Sequence, residues 1–173
     1  MSNIARYTNG HLFDIYGAER TALVEQIGAK LADLSASDYT NLDKFAGRIK
    51  HLSEVAHSRN CQLYVDAEQT FIQAGIESFG QQMTHNLNVN DRVTIMNGYQ
   101  CYLKRMEKVI PMEVRASKHL NFNLGIKLIR GAYMMEERGL ATEQGKDSPV
   151  WDQIDETHIC YNDSMSHIIK NMT

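Results

Sequence analysis

Hydrophobic positions recur at helical spacing along most of this chain, and the recurrence is broken three times by short runs of strand-forming residues. From Glu19, the residues Leu23, Ile27, Leu31 and Leu34 fall three or four apart, which predicts a first amphipathic helix. Ser35–Asp38 interrupts it. A second helix follows, with Leu42, Phe45, Ile49, Leu52 and Val55 along one face. Gln62–Asp66 (QLYVD) is short, rich in β-formers and ends in acid, so it reads as a strand. Helical spacing returns at Phe71 or Ile72, Ile76, Phe79 and Met83. Arg92–Met96 is a second strand candidate. Leu103, Met106, Ile110 and Val114 predict another helix, which Pro111 should kink or break. Gly125–Arg130 is the third strand candidate. A polar loop around Gly145 and Pro149 leads to a last helix on Ile154, Tyr161, Met165, Ile168 and Met172.

The order is therefore α-α-β-α-β-α-β-loop-α. Strands alternating with helices predict a parallel sheet of βαβ units with right-handed crossovers. An open dinucleotide-binding sheet would announce itself by G-x-G-x-x-G and a P-loop by G-x-x-x-x-G-K-[ST]; the sequence has neither.

Composition narrows the function classes. The 173 residues are 43% hydrophobic and 23% charged, the size and balance of one folded domain. A net charge of −3 without a run of like sign gives no footing for nucleic acid. No apolar run is long enough to span a bilayer. The first residues lack the basic start and apolar core of a secretory signal, and the Arg- and Ser-rich look of a transit peptide. Cys61, Cys101 and Cys160 cannot all pair, which reads as free thiols in a reducing compartment. The seven His residues do not cluster with carboxylates at metal-ligand spacing, so no metal site is expected.

The candidate chemistry lies where the strands end. The first runs into Asp66-Ala67-Glu68-Gln69 and the second into Asn97-Gly98-Tyr99-Gln100. The third carries Lys127 and leaves through Arg130-Gly131-Ala132-Tyr133. Parallel α/β folds bind ligands beyond the carboxyl ends of their strands, and barrels gather catalytic residues from several such ends. Each residue also has a plainer explanation. Asp66 or Glu68 would serve as a cap for the next helix, and Gln100 as a solvated first-turn residue. Lys127 is harder to dismiss, because a lone cation inside an apolar strand is costly unless paired or exposed at a barrel rim.

Leu63–Thr70 (LYVDAEQT), Tyr99–Lys104 (YQCYLK) and Lys127–Arg138 (KLIRGAYMMEER) resemble three successive motifs of proline dehydrogenase, most closely its eukaryotic mitochondrial branch. The resemblance covers about residues 42–172. It implies an incomplete (β/α)8 barrel of the TIM type with about three strand–helix units in residues 42–173, preceded by a variable segment, 1–41, carrying one helix. It also implies FAD over the strand ends, oxidation of L-proline to Δ1-pyrroline-5-carboxylate, and electron delivery to a membrane quinone. The expected location is the matrix side of the mitochondrion, with peripheral attachment to the inner membrane. By the same resemblance Asp66 lies near the proline amine and Tyr133 shapes the substrate side. Gln100, Lys127, Ile129, Gly131 and Ala132 contact the flavin. A related barrel oxidising hydroxyproline and a truncated non-catalytic relative are the alternatives. The family's substrate-site Lys, its flavin-contacting His and the paired Arg residues that clamp the proline carboxylate have no counterpart here. The 173 residues are thus expected to be a piece of the enzyme, inactive alone. Gly98 also stands where the eukaryotic pattern commonly has Thr.

Overall fold

In a computed structural model the described residues are 35–172. The helix expected around Leu23–Leu34 lies outside them. The elements run α1 (Ala36–Ser58), β1 (Leu63–Val65), α2 (Thr70–Leu87), β2 (Ile95–Gln100), α3 (Met106–Leu120), β3 (Ile126–Ile129), α4 (Met134–Glu143) and α5 (Ile154–Asn171). The three strands form one parallel sheet in the order β1-β2-β3, each joined to the next by a helical crossover. This is a run of consecutive strand–helix units of the TIM-barrel kind.

The register places Val65 beside Asn97, and Gly98 beside Lys127. Side chains alternate along a strand, so the sheet has two unlike faces. Ile95, Asn97, Tyr99, Ile126 and Leu128 belong to the face that packs on helices. Tyr99 lies in the main core with Met106, Val109, Ile110, Met112, Ala116, Phe122 and Cys160, and Ile126 and Leu128 pack against that cluster. The opposite face carries Tyr64 and Asp66, Met96, Gly98 and Gln100, Lys127 and Ile129. A second cluster of Tyr102, Leu103 and Val150 closes the end of the sheet, where Leu103 and Val150 form an antiparallel bridge.

Several elements depart from the sequence pattern. The second strand begins at Ile95, not Arg92, and Asn97–Gln100 lies inside it rather than beyond it. Buried Asn88 explains the shift. Its Oδ1 accepts the amides of Thr94 and Ile95 at 2.9 and 2.8 Å, and its Nδ2 donates to Ile95 O at 2.8 Å. One side chain thus satisfies backbone that would otherwise need a strand partner. Pro111 does not break α3, which runs unbroken through it. The single hydrogen bond it forfeits is outweighed by the burial of Ile110 and Met112 on either side. The helix α4 replaces part of the expected polar loop; its sequence MMEERGLATE has no apolar period to reveal it.

The inward faces of two helices also differ from expectation. On α1, Phe45, Leu52 and Val55 are exposed while Ser53 is fully buried, although Phe45 still meets Phe79 edge-on at 5.1 Å. On α5, Ile154 and Met165 are exposed, as is Met172 just past its end, and the buried line is Thr157, Cys160 and Ser164. Small side chains let α5 sit close to the core, with Tyr161 and Ile168 packing at its edge.

Candidate functional site

Gly125 and Gly98 set the spacing of the sheet. A Cβ on Gly125 would lie 2.1 Å from Ile95 O, so only glycine lets β3 enter beside β2. A Cβ on Gly98 would lie 2.9 Å from Ala67 N and 3.1 Å from Ala67 Cβ. Gly98 is the central residue of a row: Lys127 flanks it on β3, and Asp66, one step past the Val65–Asn97 pair, flanks it on β1. With no side chain between them, Lys127 reaches over Gly98 and its Nζ binds Asp66 Oδ1. Both partners stay substantially exposed, Lys127 by 45% and Asp66 by 60%. The cation in the apolar strand is therefore both paired and at an open rim.

Gln100 ends β2 on the same face, 1% exposed. It is not a solvated first-turn residue, because the strand runs four residues further than the sequence pattern predicts. Its Nε2 donates to Glu68 O at 2.6 Å and to Tyr102 Oη at 2.8 Å. Its Oε1 is buried and has no partner. Ile129 ends β3 on this face, and Gly131 and Ala132 follow it, both exposed. Tyr133, at the start of α4, folds back so that its hydroxyl donates to the Glu68 carboxylate. That bond holds the Tyr133 phenol up to about 12. Burial likewise raises the Tyr102 phenol.

Neither Asp66 nor Glu68 caps α2. Its N-cap is Gln69, which makes no side-chain cap, and its first turn holds no acid of its own. The cap comes from α4. Glu137, 3% exposed, accepts the Thr70 amide at 2.6 Å and the Thr70 hydroxyl at 2.7 Å. Gln73 Oε1 accepts the Glu68 amide at 2.7 Å. Glu68, Tyr102 and Glu137 thus form a polar frame, of which the strand-end pattern offers only Glu68. The available signal was their place inside the three motifs. Among the described residues no group of His, Cys, Asp or Glu is arranged to hold a metal.

Asp66, Gln100, Lys127 and Ile129 therefore share one face, at or near the carboxyl ends of three adjacent strands, with Gly131–Tyr133 turning beside them. Residues 4–173 match the family model described as proline dehydrogenase. The chain belongs to the proline dehydrogenase family. Similar proteins include proline dehydrogenase 2, mitochondrial, of Arabidopsis thaliana, 36% identical over 138 residues, which are 79% of this chain and 29% of that protein. The human proline dehydrogenase 1, mitochondrial, is 28% identical over 147 residues, 85% of this chain and 24% of that one. A hydroxyproline dehydrogenase of Xenopus laevis is 27% identical over 79% of this chain and 29% of its own. The chain thus spans 24–29% of the length of these relatives. Among solved structures, proline utilization A from Bdellovibrio bacteriovorus, inactivated by N-propargylglycine, superposes with a TM-score of 0.67 at 16% identity. That alignment covers 75% of this chain and 14% of the bacterial one. It shows that this member of the proline dehydrogenase family shares the barrel-type fold.

Proposed function

We propose that the protein oxidises L-proline to Δ1-pyrroline-5-carboxylate with FAD as cofactor, in the mitochondrion named for its plant and animal relatives, and passes the electrons to a membrane quinone. The observation that carries this reading is the convergence of Asp66, Gln100 and Lys127 on one face and one end of the sheet, with the Gln100 Oε1 left buried and unpaired. An orphaned acceptor of this kind costs about 1–3 kcal/mol unless a ligand donates to it. A flavin ring carries such an N–H, so the residues present fit the group. When bound, FAD would supply the acceptor for the hydride, which carries both electrons away from the substrate.

The chain's own residues have separable tasks. Lys127 brings positive charge to the place where negative charge must be stabilised. Gln100 offers a fixed acceptor, held by its two donor bonds from Nε2. Ile129, Gly131 and Ala132 give an apolar and then a side-chain-poor surface that a flat ring can approach closely. Asp66 holds the amine of the substrate and orients its ring. Tyr133, fixed by Glu68, bounds the substrate side. A polypeptide carrying this region at the length of its relatives should bind FAD and lose its yellow colour when L-proline is added anaerobically. Lys127→Met should weaken flavin retention at least tenfold with little loss of fold. Bleaching by 4-hydroxyproline but not proline would move the assignment to the alternative substrate. A folded protein that takes up no flavin would overturn the proposal.

A further inference from the structure

One pair of nucleophiles takes no part in this site. Cys101 follows Gln100 directly, is fully buried, and its amide donates to Ile129 O at 2.8 Å. Cys160 lies mid-way along α5, 5% exposed, in the same core cluster. Both are free cysteines of that one buried cluster, near enough to perturb one another, and the Cys101 thiol itself donates to Tyr99 O at 3.9 Å. Their access differs. Cys160 lines a cleft of about 510 Å³ between α3 and α5, together with Trp151 and Ser164, whereas Cys101 lies behind it and does not line the cleft.

We propose that Cys160 and Cys101 are a modification site, forming a reversible disulfide when a small neutral hydroperoxide enters the α3–α5 cleft and meets Cys160 first. Two neighbouring thiols packed in one buried cluster reach bonding geometry by a local shift of α5. The neighbouring Cys101 thiol lowers Cys160 from the ordinary thiol value, and Ser164 and Trp151 act in the same direction; burial and Glu107 oppose it. Cys101 is pushed up instead, by Cys160 and by burial. The attacking thiol is thus the one open to the cleft. Glu107, Glu156 and Asp163 on the cleft wall disfavour an anionic oxidant such as glutathione disulfide.

The chemistry balances. The Cys160 sulfur attacks one peroxide oxygen, the O–O bond breaks, and sulfenic acid and one water result. The Cys101 sulfur then attacks the Cys160 sulfur, the S–O bond breaks, and the Cys101 proton leaves with the departing oxygen as a second water. Two thiols lose two electrons, and hydrogen peroxide gains them. The product would fasten α5 to the residue next to Gln100. This inference does not rest on the proposed function.

The test uses the 173-residue chain, reduced, exposed to hydrogen peroxide, then unfolded, alkylated and mapped by mass spectrometry. We expect two of the three thiols to be lost, a linked Cys101–Cys160 peptide, and full recovery with dithiothreitol. Cys101→Ser should leave Cys160 as a sulfenic acid that dimedone captures, and Cys160→Ser should leave Cys101 unoxidised. The peptide map of the unaltered chain decides the matter even where a variant does not fold. Dimers linked through Cys61 with Cys101 and Cys160 still alkylatable would overturn the proposal, as would equal oxidation of Cys101 in Cys160→Ser. Faster capture of Cys160 by glutathione disulfide than by peroxide would overturn the choice of oxidant.

Discussion

Glu137 is the residue whose removal should test the frame of the site most sharply. Its carboxylate reaches from α4 to the first residue of α2 and takes both the amide and the hydroxyl of Thr70. Hydrogen bonds to a charged group contribute about 1.5–3 kcal/mol each. A carboxylate at a helix N-terminus adds about 0.3–1 kcal/mol, up to about 2 where it is partly buried. Two factors reduce the sum. The bonds share one carboxylate and are not additive. A cleft of about 400 Å³ borders Glu137 beside Gln69 and Glu143, so water can reach Thr70 after truncation. We therefore expect Glu137→Ala to lower the free energy of unfolding by about 2–3 kcal/mol. Glu137→Gln keeps an acceptor for the amide, and the Thr70 hydroxyl can turn to accept, so it should cost about 1 kcal/mol, mainly the lost charge. Urea denaturation followed by circular dichroism measures both, and amide exchange at Thr70 should quicken in the Ala variant. Equal losses for Ala and Gln would mean that packing, not capping, is what Glu137 supplies. A loss below about 0.5 kcal/mol for Ala, the range of ordinary surface changes, would refute the reasoning.

Other consequences concern the rim. The Tyr133 hydroxyl, held at about 12 by Glu68, should ionise well above an ordinary tyrosine in an ultraviolet titration, and Glu68→Gln should return it toward 10. Because the folded value is raised, this group's contribution to stability is full below pH 10 and is lost as pH rises toward about 12. Gly98→Thr should cost about 1–3 kcal/mol, since the new Cβ must push β1 away from β2; unchanged stability in a thermal melt would show that the sheet spacing adapts freely.

How far the sequence carried the fold depends on what each residue had to compete with. β1 and β3 are legible because Leu63–Val65 and Ile126–Ile129 combine β-forming residues with sharp polar ends. The limits of β2 are not, because Asn97-Gly98 is a turn signal when read locally. In the folded chain Asn97 Nδ2 donates to Thr84 Oγ1 at 2.8 Å, and Gly98 fills a space too small for a Cβ. Tertiary pairing on both sides of a central strand overrides the local preference. The buried line of α5 was misread for a related reason. Periodicity counts large apolar residues, while this helix approaches the core through Thr157, Cys160 and Ser164. Of the site, Asp66, Gln100 and Lys127 were visible as polar residues at strand ends. Glu137 was not, since an acid in a polar, aperiodic segment looks solvated until α4 is seen to lie against the start of α2.

The magnitudes also separate architecture from chemistry within the site. Arg105 and Glu77 form a two-pronged pair with side chains only 11% and 16% exposed, joining the start of α3 to α2. Burial opposes the Arg105 charge, but Glu77 outweighs it and holds the guanidinium above its ordinary value. Breaking such a pair would strand a buried charge, at a cost of about 3–5 kcal/mol. The Asp66–Lys127 pair has no such structural claim. Both side chains are roughly half open to solvent, where an ion pair contributes about 0–1 kcal/mol. Holding a lysine in an otherwise apolar strand, opposite a glycine that leaves no packing of its own, gains the fold almost nothing. The pair is better understood as two charges kept apart from water by little and available to a third group. Under the proposed function, an incoming amine would compete for Asp66 and an electron-rich ring for Lys127. Both changes of partner start from a bond weak enough to exchange, a condition that the buried Arg105–Glu77 pair does not meet.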